Sequence, residues 1–376
     1  MPLHRIPGVR RVPQLVRRVD ADVALFESWH GSYSDNPRAI AEELRRRGAR
    51  VRQVWVLRDD APERPSDVET VAPGSRRHLE YMGAARWVVT NSNLPGYFHK
   101  KRRATYLQTW HGTPLKRIAF DIPAPAFRGS AKYLRNLRDD VAKWDYLVSP
   151  NRFSTDVFRR AFRYAGPVLE TGYPRNDLLR SPTEAAAVRE RLRARLGIPE
   201  DARAVLYAPT WRDDVRRFST ELDLGRMADA LGEGCFLLLR AHQLVAATVG
   251  AQSHPCVRDV SGLPDIRDLY AVADVLVTDY SSVMFDFAVT GRPILLFTYD
   301  LASYRDDLRG FYFDLEREAP GPLLSTTDEV IEALRGLDAV AARHAAEYRR
   351  FAERFCHLDD GHAAARVVDA VFDGRV

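Results

Sequence analysis

The sequence is poor in sulfur-containing residues and has no long apolar run. Of its 376 residues, three are cysteine and four are methionine. Cys235, Cys256 and Cys356 are scattered and odd in number, which argues against a disulfide framework and against a zinc site. No segment approaches the roughly 18 consecutive apolar residues of a membrane-spanning helix. The sequence therefore predicts neither a disulfide scaffold nor an integral membrane protein.

Several motifs of common enzyme classes are also missing. There is no G-x-x-x-x-G-K-[S/T] loop, and no G-x-G-x-x-G follows the first predicted strand, so neither a P-loop enzyme nor a standard dinucleotide-dependent enzyme is supported. No G-x-S-x-G elbow occurs, which argues against an α/β-hydrolase. The histidines and acidic residues lack the spacing of a fixed metal site, and whether Mg²⁺ assists is left open.

The composition is that of an ordinary globular protein, with slightly more basic than acidic residues. Hydrophobic residues make up 45% and charged residues 28% of the chain, and 56 basic against 51 acidic residues give a net charge of +5. The length suggests about two domains. The first 22 residues are rich in arginine and lack the apolar core of a signal peptide, so we expect a cytoplasmic protein with an anionic partner.

Short apolar runs alternate with helical periodicity along the whole chain. Because strands that alternate with helices indicate parallel sheets, we expect an α/β protein of the doubly wound type. Turn residues and a polar helix in 172–199 suggest a boundary between a domain over 1–180 and another over 198–345, followed by a helix in 346–376 that crosses back to the first domain. The predicted strands are 22–27, 51–57, 86–90, 104–109, 146–149, 204–207, 235–240, 257–260, 275–278 and 293–297.

In the first half, two loops follow predicted strands and carry polar groups. His111 lies just past a strand, where open α/β sheets place ligands, and a histidine with a pKa of about 6.5 can act as a general base. Gly112 and Thr113 follow it, and Gly112 allows close approach to a ligand. A histidine that merely packs in a turn explains the pattern about equally well. The loop with Ser32, Asp35 and Asn36 is expected to line the same cleft or to cap the next helix.

In the second half, polar groups follow three predicted strands. Asp279, Ser281 and Ser282 lead from a strand into an apolar helix, where free N–H groups and two hydroxyls can bind an anion or simply cap the helix. Asp286, one turn further on, is suited to ribose hydroxyls or to the protein surface. Other candidate donors for a phosphate or pyrophosphate follow the neighbouring strands, with a surface ion pair as the alternative for any single arginine. These are Thr210, Arg212, Arg240 and His242.

The motifs resemble those of the CDP-glycerol glycerophosphotransferase family, the TagB/TagF-type enzymes of teichoic acid synthesis. The matching segments are SYSDNP (32–37), QTWHGTPLK (108–116), TGYPRND (171–177), LYAPTWRD (206–213), the long stretch 265–314 and the tail 355–371. The resemblance implies a GT-B fold, in which two Rossmann-like domains face a cleft. It also implies transfer of a polyol phosphate from a CDP-polyol to a lipid-linked acceptor, with release of CMP.

Carried over position by position, the resemblance assigns roles to the candidate residues. His111 corresponds to the catalytic histidine, and His242 is a second catalytic candidate. The donor and its phosphates would be held by Thr210, Arg212, Arg240, Asp279, Ser281, Ser282 and Asp286; the acceptor side would be formed by Ser32, Asp35, Asn36, Gly112 and Thr113. In the family a proline often follows the second histidine, whereas this chain has Gln243 after His242. The short chain favours addition of one unit over polymer synthesis.

The expected partners are CDP-glycerol, a lipid-linked saccharide or polyol-phosphate acceptor, and an anionic membrane surface. Basic residues accompany apolar ones in 5–19, 99–103 and 132–143, as in segments that lie on anionic lipid at the inner face of a cell membrane, with a solvated basic face as the alternative. CDP-ribitol as donor, or a nucleotide-sugar in another GT-B enzyme, remain alternatives. A nucleic-acid partner is not expected, because no recognition motif is present.

Overall fold

The computed structural model describes residues 11–122, 130–210, 221–241, 254–305 and 310–372. Over these ranges, strands and helices alternate as the sequence predicts, and all ten predicted strands are present. The alternation builds two parallel sheets, one in each half of the chain. The fold is therefore α/β with two Rossmann-like domains, which confirms the predicted fold class.

The first sheet has seven strands in the order β3-β2-β1-β4-β5-β6-β7. Its central strands are apolar on both sides, and two apolar clusters cover its faces. The strands are β1 Asp20–Glu27, β2 Arg52–Val56, β3 Glu69–Val71, β4 Ala85–Thr90, β5 Thr105–Gln108, β6 Tyr146–Ser149 and β7 Val168–Glu170. The helices of this half are α1 Val12–Val16, α2 Asp35–Arg46, α3 Arg76–Ala84, α4 Ser130–Val141 and α5 Arg152–Ala161.

The second sheet has six strands in the order β10-β9-β8-β11-β12-β13 and is likewise enclosed by two apolar clusters. Its strands are β8 Arg203–Ala208, β9 Cys235–Leu239, β10 Val257–Asp259, β11 Val275–Thr278, β12 Ile294–Phe297 and β13 Leu323–Leu324. The helices that follow the first sheet are α6 Asp177–Arg180, α7 Pro182–Leu196, α8 Leu224–Leu231, α9 Ile266–Val272, α10 Val283–Ala288, α11 Leu301–Ser303, α12 Leu315–Glu318, α13 Thr327–Arg335, α14 Leu337–Arg343, α15 Ala345–Phe355 and α16 Ala363–Val371.

Each sheet reverses its winding direction between two central strands. In the first sheet the reversal lies between β1 and β4, and in the second between β8 and β11. At such a point the loops that leave the strands diverge and open a crevice, where ligands of doubly wound proteins bind. The two crevices are the natural positions for the functional site.

The chain crosses between the domains more than once. Helix α15 packs on the second domain, where Phe351 and Phe355 contact Phe285. The following helix, α16, packs on the first domain, and its last residue, Val371, accepts a hydrogen bond from the Trp87 indole at 3.1 Å. The consecutive helices α15 and α16 thus link the two domains.

Ion pairs also cross the domain interface beside α2. Arg38 lies 3.6 Å from Asp265, and Arg267 lies 2.8 Å from Glu42. Both arginine side chains are more than nine-tenths buried. Because a buried cation is costly without a partner, these pairs favour one relative position of the two domains.

Three strands were not predicted, and the reason is common to them. They are β3, β7 and β13, of two or three residues each, and they are half-exposed at or near the sheet edges. Such strands carry little apolar periodicity, so the sequence signal is weak.

No helix among the described residues is long and apolar enough to cross a bilayer.

Candidate active site

His111 stands just beyond β5, beside the crevice of the first domain. Its Nδ1 atom lies 2.7 Å from the backbone oxygen of Asn91, which follows β4. A carbonyl oxygen can only accept, so the neutral imidazole carries its proton on Nδ1 and presents an unprotonated Nε2. The neighbouring strand end therefore fixes the tautomer that a general base requires. Asn91 was not singled out from the sequence, since its contribution is a backbone oxygen.

Two tryptophans enclose the His111 ring. The Trp110 ring stacks on it with the centroids 4.2 Å apart, and the Trp29 ring lies 4.7 Å away. This burial lowers the pKa of His111 below its ordinary 6.5, while the hydrogen bond to Asn91 acts in the opposite direction. The imidazole is therefore neutral, and able to take up a proton, at neutral pH.

The backbone around His111 contains several unusual conformations. Trp29, His30 and Trp110 have φ values of +46°, +56° and +52°, in the left-handed region that residues with side chains seldom adopt. Each such residue costs free energy and persists only where the surroundings enforce it. Three such residues lie close to His111.

Gly112 brings the first domain into direct contact with the second. A Cβ atom on Gly112 would lie 2.5 Å from Oγ of Ser282 and 2.8 Å from its Cβ atom. The Gly112 N–H donates to the Tyr173 hydroxyl at 3.1 Å, and the adjoining Thr113 is buried. The loop of His111 thus touches the start of α10 across the cleft, which brings two of the sequence motifs together.

The polar residues predicted on the acceptor side support the His111 loop. The Asn36 side chain is fully buried and donates to the Trp110 backbone oxygen at 3.2 Å. Asp35 accepts the Trp29 indole N–H at 3.0 Å. Ser32 is buried and donates its N–H to the Ser28 backbone oxygen at 2.8 Å. These contacts fix the loop that holds the tryptophan against His111.

In the second domain, Thr210 and Asp279 meet at the crevice between β8 and β11. The Thr210 N–H lies 2.9 and 3.0 Å from the two carboxylate oxygens of Asp279. Ser281 and Ser282 follow directly and are half-buried at the start of α10. The structure therefore brings these four predicted residues to one edge of the sheet, opposite His111.

The other predicted donor residues divide into two groups. Arg240 is largely buried, and its Nη1 atom donates to the backbone oxygens of Val260 at 2.9 Å, Ser261 at 2.8 Å and Leu263, so the protein itself occupies that end of the guanidinium. Arg212 and His242 lie outside the residues that the structure describes.

Asp286 is enclosed by protein groups. Its side chain is 3% exposed and accepts hydrogen bonds from Arg175 at 2.6 Å, Asn176 at 3.3 Å and the Tyr270 hydroxyl at 3.3 Å. Burial raises its pKa, and Arg175 and Asn176 act against that rise. The carboxylate that the sequence suggested for a ribose is thus engaged at the domain interface.

Arg175 is the main residue of the site that sequence reasoning missed. Its buried guanidinium pairs with Asp35 of the first domain at 2.8 Å and with Asp286 of the second at 2.6 Å. The same group donates to the His111 backbone oxygen at 3.1 Å. Burial alone would lower the pKa of Arg175, but the two carboxylates hold it well above the ordinary value. Its place in the TGYPRND segment was the only sequence signal.

Over the described ranges, no group of three or more His, Cys, Asp or Glu side chains could hold a metal ion.

Two Rossmann-like domains that face each other across a cleft give the chain the GT-B architecture. The family described as CDP-Glycerol:Poly(glycerophosphate) glycerophosphotransferase matches residues 11–373. The chain belongs to this family, as its motifs suggested.

The curated relatives are enzymes of teichoic acid synthesis. The chain is 41% identical over 366 residues to the "Teichoic acid poly(glycerol phosphate) polymerase" of Bacillus subtilis (strain 168), which covers 94% of this chain and 49% of that protein. The chain thus spans about half the length of that relative. The protein of the same name in Bacillus spizizenii is 41% identical over 359 residues, with 92% of this chain and 90% of that protein covered.

A solved structure supports the same relationship. The wall teichoic acid polymerase TagF superposes with a TM-score of 0.89 at 35% identity, and 98% of this chain and 93% of that chain are covered. TagF has also been solved after soaking with CDPG. The match to a polymerase nearly as short as this chain removes the argument from length that favoured addition of a single unit.

Proposed function

We propose that the chain transfers glycerol phosphate from CDP-glycerol to a hydroxyl group of an acceptor in teichoic acid synthesis and releases CMP. The observation that carries this proposal is the contact of Gly112 with Ser282, because it sets the base-competent His111 beside the candidate phosphate site of the other domain. Membership of the glycerophosphotransferase family supplies the chemistry.

On the acceptor side, His111 acts as the general base. The acceptor hydroxyl approaches Nε2, which is free of a proton because Nδ1 donates to Asn91. As the hydroxyl oxygen attacks phosphorus, its proton passes to Nε2. The tryptophans around the ring limit its contact with water and keep it neutral before the reaction.

On the donor side, the bond between phosphorus and the CMP oxygen breaks while the new phosphodiester forms. The negative charge that develops on CMP is stabilised by N–H groups, hydroxyls and cations, and positioning and electrostatics carry most of the catalysis. The groups that we assign to this task are Thr210, Arg212, Arg240, His242, Ser281 and Ser282. Asp279 would position Thr210 by accepting its N–H.

Asp35, Asn36 and Arg175 position the site rather than touch the substrates. Each is buried, and each links the His111 loop to another element. Asp286 belongs to the same network through Arg175. We propose that this network, with Thr113 packed behind the loop, keeps the base at a constant distance from the donor site.

Glycerol phosphate is favoured over ribitol phosphate as the transferred group. A poly(ribitol-phosphate) polymerase of Bacillus spizizenii is 32% identical over 210 residues, whereas the poly(glycerol phosphate) polymerase of the same organism is 41% identical over 359 residues. CDP-ribitol remains the second candidate donor. Resemblance to a UDP-N-acetylglucosamine 2-epimerase of Listeria monocytogenes, at 14% identity and a TM-score of 0.51, concerns the fold alone.

We further propose that the chain works in the cytoplasm, on the inner face of the membrane. Val12, Leu15 and Val16 of α1 are 53–72% exposed. Between them, the buried Gln14 donates to the Tyr97 backbone oxygen at 3.2 Å and fastens the helix to the domain. Four basic residues, at 100–103, come shortly after Tyr97 in the sequence. Exposed apolar groups beside basic ones suit an anionic lipid surface, where a lipid-linked acceptor would be found.

The experiment that tests the proposed function is a donor and acceptor comparison. The protein is incubated with CDP-glycerol or CDP-ribitol, with and without a lipid-linked acceptor that ends in glycerol phosphate, and CMP and product length are followed. We expect acceptor-dependent CMP release that is faster with CDP-glycerol. Equal or faster release with CDP-ribitol would contradict the assignment of the donor, and no release with either would contradict the proposed function.

A further inference from the structure

We propose that Trp29, His30 and Arg58 form a subsite for the phosphodiester of the acceptor, next to the hydroxyl group that attacks. This inference rests on the proposed function, because it concerns the chain end that receives the new unit. The ligand class is a glycerol unit joined to the preceding unit by an anionic phosphodiester.

Trp29 is held in place and yet remains accessible. Its indole N–H donates to Asp35 at 3.0 Å, and its backbone N–H donates to the Asn91 side chain at 3.0 Å. Even so, 36% of the residue is exposed, whereas the neighbouring Ser28 is fully buried. A rigid aromatic face beside His111 suits the carbon atoms of a glycerol unit whose hydroxyl lies at the base.

His30 supplies a cationic group next to this face. Its side chain is 68% exposed, and Nδ1 lies 3.5 Å from the carboxylate of Glu27, which is buried at the end of β1. The hydrogen bond to Glu27 raises the pKa of His30. Burial and the positive charge of Arg58 act to lower this pKa, but the rise prevails. His78 faces the same carboxylate at 3.6 Å, and burial lowers its pKa, so His30 is the imidazole of the pair that more readily carries the proton.

Arg58 reaches the same loop because of Gly31. The Arg58 N–H donates to the Gly31 backbone oxygen at 3.0 Å, and a Cβ atom on Gly31 would lie 2.7 Å from Cγ of Arg58. Gly31 also has a φ of +123°, which only glycine adopts easily. The glycine therefore lets the arginine side chain pass directly over the loop that carries Trp29 and His30.

The Arg58 cation is bound only weakly by the protein. Arg58 pairs with Asp60 at 3.2 Å, but the Asp60 side chain is 82% exposed, and pairs at such exposure are weak. A phosphodiester offers two anionic oxygens that an arginine fork and a protonated imidazole can bind together. With the attacking hydroxyl at His111, the preceding phosphodiester would be a few bonds away, within reach of the proposed subsite.

The test uses two soluble acceptor probes. One is two glycerol units joined by a phosphodiester, and the other is the matching diglycerol ether without charge. The wild type is compared with a His30→Gln/Arg58→Gln double variant and with Arg58→Lys. We expect the ratio of kcat/KM for the charged over the neutral probe to fall roughly tenfold or more in the double variant, with part of the preference kept by Arg58→Lys, since a charged hydrogen bond contributes about that factor.

The control is Arg350→Gln, an exposed arginine of α15 that pairs with Glu347 at 3.0 Å and lies outside the proposed subsite. Its ratio should equal that of the wild type. An unchanged ratio in the double variant, or a wild type without preference, would overturn the subsite.

Binding of the same probes, followed by saturation-transfer NMR, separates the subsite from the proposed function. Selective binding of the charged probe that depends on His30 and Arg58, without CMP release, would support the subsite and contradict the transferase reaction. Equal binding of both probes by the wild type would overturn the subsite whatever the activity.

Discussion

Gly112 and Ser282 belong to different domains, and the space between them is too small for one additional methyl group. A Cβ atom on Gly112 would stand 2.5 Å from the Ser282 hydroxyl oxygen. Gly112 does not have a positive φ, so its backbone conformation does not require a glycine. The close approach of Ser282 alone accounts for the glycine at this position. The contact sets the distance between the base and the donor site, and several predictions depend on it.

The first prediction concerns that contact. Gly112→Ala should force the domains apart or displace Ser282, and should lower kcat at least about tenfold, because catalysis depends steeply on the position of the reacting groups. The melting temperature should change much less than the activity. Gly234→Ala is the matched control, since a Cβ atom there meets nothing within 4 Å. Wild-type kcat in Gly112→Ala would show that the contact has no role in the reaction.

The pH dependence of the reaction should report the burial of His111. The neutral imidazole is the active form, and its pKa is lowered from 6.5. As the pH falls, activity should therefore be retained until the pH passes below 6.5 and should be lost at lower pH. The measurement is kcat/KM for the acceptor between pH 5 and pH 8. An acid limb with its midpoint clearly above 6.5 would contradict the assignment.

Arg175 should be important for stability as well as for position. Arg175→Met leaves Asp35 and Asp286 buried without their cation, and loss of one partner of such a pair costs about 3–5 kcal/mol of unfolding free energy. Urea denaturation measures the effect. Arg350→Met, which removes an exposed pair, should leave the free energy of unfolding nearly unchanged. Similar losses in both variants would show that the buried bridge contributes little.

Membrane binding is predicted to depend on α1. Replacing Val12, Leu15 and Val16 by serine should weaken sedimentation with vesicles that contain anionic lipid, because these side chains are exposed and leave the domain core intact. Tyr299→Ser, which changes another exposed large side chain outside α1, is the control. Undiminished sedimentation of the α1 variant would contradict the proposed attachment.

The sequence predicted the layered architecture well, because long buried strands carry a strong signal. The strands Tyr146–Ser149 and Val275–Thr278 agree with the predicted bounds. Helix α2 begins at Asp35, which has a left-handed backbone conformation and accepts the N–H of Asn36 with its side chain. Such local geometry is not encoded in periodicity.

The sequence indicated where several candidate site residues would lie, but not the contacts between them. His111 and the hydroxyls of Ser281 and Ser282 could be found because they follow strands. Arg175 could not, since its role arises from two carboxylates that are distant in sequence and meet only after both domains have formed. For the same reason, sequence position alone suggested a ligand for Asp286, whereas the folded chain surrounds it with protein groups.

The central claim is that His111 takes the proton of the acceptor hydroxyl, and single-turnover release of CMP from CDP-glycerol tests it most directly. His111→Ala should release CMP at least about a hundredfold more slowly than the wild type in the presence of acceptor, as expected for loss of a general base. Its affinity for CDP-glycerol, measured by calorimetry, should stay within a few-fold of the wild-type value. Release of CMP at nearly the wild-type rate by His111→Ala would contradict the account.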